Sequence, residues 1–272
     1  MKSITQHITE RLKLNRDRVQ QQLEYFPETR EELEDIIKDI TSKHSNWYKH
    51  SNDKVIDLSM IDTSKIKNMS YLFEDSQYVY NVSKWNVSNC EDFSQMFSNC
   101  KNIKILDLSD WKLSTTCHHI EMFGMFNECE NLEMVEGLDN WNTKKVSRIS
   151  RMFYHCHNLK EININTWDTS FMTQFEAVFS ECENLITIGD ISQWDTTNVF
   201  WMSEMFNQCK KLKSIGDISN WKFTRLSDIG YMFYGCSHLT GLGDLNKWNI
   251  NKDKTTVTRM FAKTKIPKPN WY

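Results

Sequence analysis

The chain has 272 residues, and its 33 Lys and Arg against 36 Asp and Glu leave a formal charge of only −3. With no long basic run to track phosphates, a nonspecific nucleic-acid binder is excluded, and the scarcity of Gly (8) and Pro (3) excludes collagen-like and low-complexity chains. No window reaches the roughly eighteen apolar residues of a membrane span, so membrane insertion is not expected.

Residues 1–50 do not repeat. Ser3 with Gln6 forms a capping-box pattern ahead of Ile4, Ile8 and Leu12, and Thr29 with Glu32 forms another ahead of Leu33, Ile36, Ile37 and Ile40. Two or three amphipathic helices, broken near Asn15 and Pro27, are expected here. They serve either to cover the first repeat or as a separate docking or oligomerisation module. The opening "MKSITQHITERLKLNRDRV" has neither the apolar stretch nor the cleavage site of a secretory signal. A cytoplasmic or virion-associated protein is therefore expected, with display on a cell surface possible only by a route not visible in the sequence.

From residue 51 onward one pattern recurs with a period of about 27. Phe falls at 73, 97, 126, 153, 179, 206, 233 and 261, and Trp follows at 85, 111, 141, 167, 194, 221 and 248, with Ile61 in the equivalent place before the first. Cys sits three after Phe at 100, 129, 156, 182, 209 and 236, replaced by Ser76 and Thr264 in the end units. A unit this short cannot bury an apolar face alone, and such periods mark solenoids, propellers or arrays.

Within a unit, Val199, Met202, Met205, Phe206 and Cys209 follow helical spacing behind Thr197 as N-cap, a role Ser64, Ser88, Ser114, Ser170 and Thr224 take in their own units. Leu212, Ile215, Ile218 and Trp221 read as a short strand and turn, with Gly-Asp at 189–190, 216–217 and 243–244 or Glu-Gly at 136–137 as a bulge. The expected unit is strand, turn, capped helix, turn. The fold class is then α/β, a solenoid of about eight units over 51–262, with a helical cap at 1–50. "KTKIPKPNWY" (263–272) is read as a C-terminal lid, since its prolines cannot extend a ladder.

Chemistry finds little to stand on. One Cys per unit is not the paired spacing of zinc sites and reads as a small buried hydrophobe. Cys117, His118 and His119, in a unit with three extra residues, and His155 with His157 in the next, raise a metal-dependent enzyme or sensor as an alternative. Adjacent histidines cannot both face one ion on a regular helix, and no carboxylate is spaced to orient them, so no metal ligands are assigned. Asp57, Asp107, Asp190, Asp217 and Asp244 form a solvated or turn-bonding edge rather than a calcium ladder. No G-x-S-x-G, P-loop, H-E-x-x-H or G-x-G-x-x-G is present, so no catalytic residue and no cofactor are expected.

Residues that vary between units include Tyr71, Tyr154, Phe171, Phe200, Trp201, Tyr231 and Tyr234. Together with His118 and His119 of the insertion they are the candidate partner contacts, because aromatic residues are enriched at interface hot spots; packing between units is the competing use.

The string W-[DN]-x-[ST] followed by M-x-x-M-F-x-x-C-x-x-L, as in Trp194 to Leu212, resembles the BspA-type leucine-rich-repeat family, also met as mycoplasma-type lipoprotein repeats. Matching units cover roughly 55–262. The resemblance implies a leucine-rich-repeat-like solenoid used for adhesion or protein recognition. The helical leader joined to such repeats is also similar to repeat proteins of gut-bacterial phages, which implies a virion structural component. The expected function is a non-enzymatic interaction or adhesion scaffold with a protein partner of unspecified identity. The sequence leaves the oligomeric state open.

Overall fold

A computed structural model of the chain describes residues 23–47 and 55–272. The expected capping box at Ser3 and the helix through Ile4, Ile8 and Leu12 lie outside the described residues. The second leader helix is present as α1 (Arg30–Trp47). Thr29 caps it by accepting the Glu32 amide at 3.2 Å, and the Glu32 carboxylate reaches back to the Glu28 amide at 2.7 Å. Leu33, Ile37 and Ile40 are buried in the same core as the repeats. Ahead of the helix, Tyr25 pairs in parallel with Ile61, and the Asp62 amide donates to the Tyr25 carbonyl at 2.9 Å. Arg30 ties the helix to Asn68 and Ser70 at 2.7 and 3.2 Å.

The α/β leucine-rich-repeat-like solenoid expected from the sequence is not found. Among the described residues α1 is the one α-helix, and the repeats contain none. Strands are two or three residues long and form three separate two-stranded parallel sheets. These pair β1 (Val55–Asp57) with β2 (Val79–Asn81), β3 (Ile105–Asp107) with β5 (Met134–Glu136), and β4 (Ile120–Glu121) with β6 (Val146–Arg148). Most of the described chain is turn and irregular backbone.

The reason lies in two positions of every unit. Fourteen non-glycine residues have positive φ, and each stands two before or two after the recurrent Phe, as Glu204 (58°) and Gln208 (61°) flank Phe206; Gly124 and Gly235 fill the remaining two places. A left-handed residue at every fourth position ends any i→i−4 series. The amides of Met205, Asn207 and Cys209 instead donate three residues back, to Met202, Glu204 and Phe206. Those of Met202, Glu204, Phe206 and Gln208 donate to the next unit, at Asp228, Gly230, Met232 and Tyr234, over 2.7 to 2.9 Å. The turns 202–205 and 206–209, with φ above zero at their third residues Glu204 and Gln208 as type II turns require, thus present Met202, Met205, Phe206 and Cys209 inward. That mimics helical spacing.

The same finding corrects the expected caps. Ser170 and Thr197 open no helix; their amides satisfy the carboxylates of Asp168 and Asp195 two residues earlier, at 3.1 and 2.9 Å. The expected bulge at Gly-Asp is a left-handed turn, and the register irregularity in the named strands falls elsewhere, between Ile120 and Glu121.

Successive units abut through these amides and through rows of like side chains. Phe73, Phe97, Phe126, Phe153, Phe179, Phe206, Phe233 and Phe261 form one row with ring centroids 5.2 to 6.0 Å apart. In the Trp row, Trp85, Trp111, Trp167, Trp221 and Trp248 each donate Nε1–H to a backbone carbonyl of the unit before, at 2.8 to 3.2 Å. Trp271, read from the sequence as part of a lid, continues that row: it stacks on Trp248 at 6.1 Å and donates to the Leu245 carbonyl at 2.7 Å. Trp141 and Trp194 leave their buried Nε1–H without a partner among the described residues.

The cysteine row is packing. Sγ of Cys100, Cys129, Cys156, Cys182, Cys209 and Cys236 each donates to the Phe carbonyl of the preceding unit, at 2.9 to 3.1 Å. All eight cysteines are free and buried. Burial pushes the Cys90 and Cys100 thiols up to about 12, and those of Cys129, Cys156 and Cys209 well above their ordinary value.

Two outcomes are expected. At Glu181 (φ 64°), Glu181→Gly is close to neutral, whereas Glu181→Val lowers stability by about 1–2 kcal/mol in urea unfolding, because a β-branched residue resists the left-handed region. Equal midpoints for the two variants would remove that requirement. The raised thiols favour the neutral form in the folded state, so their contribution is fully present below the unfolded value of 9.0 and is lost as pH climbs toward about 12. Each protected thiol costs about 1.4 kcal/mol per pH unit in that window. Urea midpoints measured from pH 9 to about 11 should fall, and fall less steeply in Cys100→Ala.

Candidate functional site

The predicted contact residues fall in separate places. Phe200 and Trp201 sit side by side with ring centroids 6.2 Å apart, and the Trp201 backbone belongs to a parallel series of bridges through Arg148, Gln174, Trp201, Asp228 and Thr256. Phe171 occupies the place held by Asn198 and Arg225 in the two following units, each 27 residues on. Phe171 and Trp201 are both 44% exposed, while Phe200 is half-buried and carries the Arg225 guanidinium over its ring at 5.1 Å. The backbone keeps these units in step: Phe200 donates to Thr173 at 2.8 Å and Ser227 to Phe200 at 2.9 Å. An apolar, half-solvated surface with one delocalised cation results, among rows whose other members are polar, Gln174, Asn198 and Asp228.

Two further groups form elsewhere. Tyr231 lies 5.7 Å from Tyr234, whose ring carries Lys263 at 5.0 Å. Tyr154 stacks on His155 at 4.0 Å and lies beneath Arg151 at 5.5 Å. Burial pushes the Tyr154 hydroxyl above its ordinary value, against the opposing pull of Arg151. Tyr71 is half exposed in the first unit, and its left-handed φ of 61° aims it away from the core. The seven aromatic residues therefore do not make one continuous stripe.

Sequence reasoning missed Arg225, Arg151 and Lys263, the cations over these rings. The 27-residue spacing from Phe171 through Asn198 to Arg225 was the available signal, because like positions in neighbouring units abut.

The insertion brings no metal-binding geometry together. Cys117 is buried with its amide on the Ser114 hydroxyl at 3.3 Å, while His118 and His119 are exposed. His155 and His157 have ring centroids 5.3 Å apart, and Nδ1 of His157 is 3.0 Å from the Glu181 carbonyl oxygen. Among the described residues no three His, Cys, Asp or Glu side chains are grouped so as to hold a metal ion. The acidic row is occupied with turns: Asp57, Asp107, Asp190, Asp217 and Asp244 each accept the amide two residues ahead at 2.9 to 3.0 Å. The Ser219 hydrogen bonds hold the Asp217 carboxyl below its ordinary range. Ion pairs between units, such as Lys84 with Asp110 and Lys210 with Glu183, join half-exposed partners and contribute little each.

Among the described residues no helix is long and apolar enough to cross a membrane. No curated protein and no solved structure matches the chain. The family described as Mycoplasma protein of unknown function, DUF285, matches it three times, over residues 42–161, 120–214 and 150–271. These overlapping matches follow the Met-Phe, Cys, Leu and Trp rows from the end of α1 to Trp271, and the chain belongs to that family.

Proposed function

We propose that the chain is a non-enzymatic protein-binding element whose principal contact is the surface of Phe171, Phe200, Trp201 and Arg225. The observation that supports it is the exposure of two large aromatic side chains at 44% each, in rows that other units fill with polar residues. Packing between units does not require them. A Trp and an Arg at the centre of an apolar patch are the residue types that dominate binding energy, at about 2 kcal/mol or more apiece when covered. The resemblance of the W-[DN]-x-[ST] and M-x-x-M-F-x-x-C-x-x-L strings to BspA-type adhesion repeats supports the same use. No comparable observation favours a virion component or a metal-dependent enzyme at Cys117, His118, His119, His155 and His157.

Site-specific photocrosslinking tests the reading. A benzoylphenylalanine at position 201 should trap one discrete protein in cells that carry the chain, and the adduct should fall about tenfold with Phe171→Ser and Arg225→Ser, variants expected to leave the melting temperature within a few degrees of the parent. Equal adducts from position 201 and from Glu133 on another surface would discard it.

A further inference from the structure

The last unit is short. From the Cys place to the Trp, units span twelve residues at 182–194, 209–221 and 236–248, but only seven at 264–271. Its Phe261 and Trp271 keep their rows, so the missing five residues come out of the segment between them.

In earlier units that segment pairs with its neighbours in a fixed way. The amides of Ile186, Lys213 and Thr240 donate to the carbonyls of Lys160, Ile186 and Lys213, at 2.8, 3.2 and 3.1 Å. At the other end the amides of Ile164, Ile191 and Ile218 donate to the carbonyls of Ile188, Ile215 and Leu242, at 3.2, 2.9 and 3.0 Å. By this pattern Thr240 offers a carbonyl and Leu245 an amide to whatever lies next. Among the described residues neither has a hydrogen-bond partner.

What lies next is a cavity of about 430 Å³, walled by residues 240–246 on one side and 265–269 on the other. Pro267 and Pro269 of the far wall have no N–H to give. The cavity is the place of the absent segment. Lys265 and Lys268 stand at its edge, exposed, within a stretch (245–272) that has seven basic residues against the single acid Asp253 in a chain of net charge −3. Among the described residues none of the seven makes a salt bridge to an acid.

We infer that this end of the repeats receives an extended acidic segment of a partner protein, which adds as the missing strand and pairs with the Thr240 carbonyl and the Leu245 amide. The segment resembles those it replaces: an apolar residue, Gly, Asp, then an apolar residue, as in Ile-Gly-Asp-Ile at 188–191. Glycine is required because such a position lies over the Asn or Asp of the unit before, Gly189 over Asn163, Gly216 over Asp190 and Gly243 over Asp217. A Cβ on Gly243 would come within 1.9 Å of Asp217, and one on Gly216 within 1.9 Å of Asp190, so the incoming residue over Asp244 has no room for a side chain. The Asp that follows answers the lysines. This surface is separate from the one at Trp201, and the two succeed or fail independently.

The probe is a capped heptapeptide, Ile-Thr-Ile-Gly-Asp-Ile-Ser, the sequence of residues 186–192, titrated into the full chain and followed by amide NMR. Saturable binding with shifts at Gly243 and Leu245 is expected. Affinity should fall about tenfold or more when the first Ile amide is N-methylated, when the peptide Gly becomes Val, and in the variant Lys265→Ser with Lys268→Ser. No saturable binding, or binding unchanged by N-methylation or by valine, overturns the inference even if the lysine variant does not fold. Tighter, lysine-dependent binding of a double-stranded DNA oligonucleotide than of the peptide would overturn it too, marking the charge as a general anion patch.

Discussion

Everything in the repeats depends on how the backbone divides its hydrogen bonds around the recurrent Phe. Alternate amides point outward to the next unit and the others fold back by three residues, and this alternation is possible because two residues per unit accept left-handed φ. Each such non-glycine residue carries an intrinsic penalty of about 1–2 kcal/mol. The return is that buried amides are satisfied without a helix or a wide sheet. The arrangement is over-determined by its neighbours: a unit released from both sides keeps the penalty and loses the forward bonds that offset it.

The side-chain rows follow from that backbone. Turns advancing by the same step in each unit bring Phe over Phe, Trp over Trp and thiol over carbonyl, so one residue type suits one row along much of the chain. Offset aromatic pairs at these separations add roughly 0.5–1.5 kcal/mol each beyond the area they bury. Two members of the Trp row depart from its hydrogen-bond pattern. Trp141 and Trp194 keep their places but lose the carbonyl that their counterparts reach. At the two ends different devices take over, Tyr25 with α1 against the first unit and Trp271 with Tyr272 against the last.

Much of the core was legible in the sequence because burial imposes residue type. The Phe, Trp, Cys and Leu positions repeat visibly, and the Cys row reads as packing from its one-per-unit spacing and from the Ser and Thr that replace it in the end units. The class of fold was not legible, since Met202, Met205, Phe206 and Cys209 carry the spacing of an amphipathic helix while the turns that produce it leave no apolar signature. A subtler sign was there. The sixteen left-handed positions include no Val, Ile or Thr, an exclusion that a helix surface would not impose. At the candidate contact surface, Phe171 and Trp201 stood out as departures from their rows. Arg225 did not, because a lone arginine on a polar edge looks like any solvated charge until the period places it beside Phe200. The shortened last unit was equally hard to read: its prolines suggested a stop, whereas its Trp271 shows one more turn of the pattern with the middle removed.

The left-handed positions have one more consequence. Thirteen of the sixteen are occupied by charged, amide or aromatic side chains, His155 among them, from Tyr71 and Gln95 through Arg151 and Glu204 to Arg259 and Lys263, none of which is fully buried. The backbone there asks only that the residue not branch at Cβ, and it leaves charge, polarity and ring chemistry unspecified. Such sites behave like blank type in a fixed frame: exchanging their letters rewrites what the outside world meets, while the rows beneath stay spelled as before.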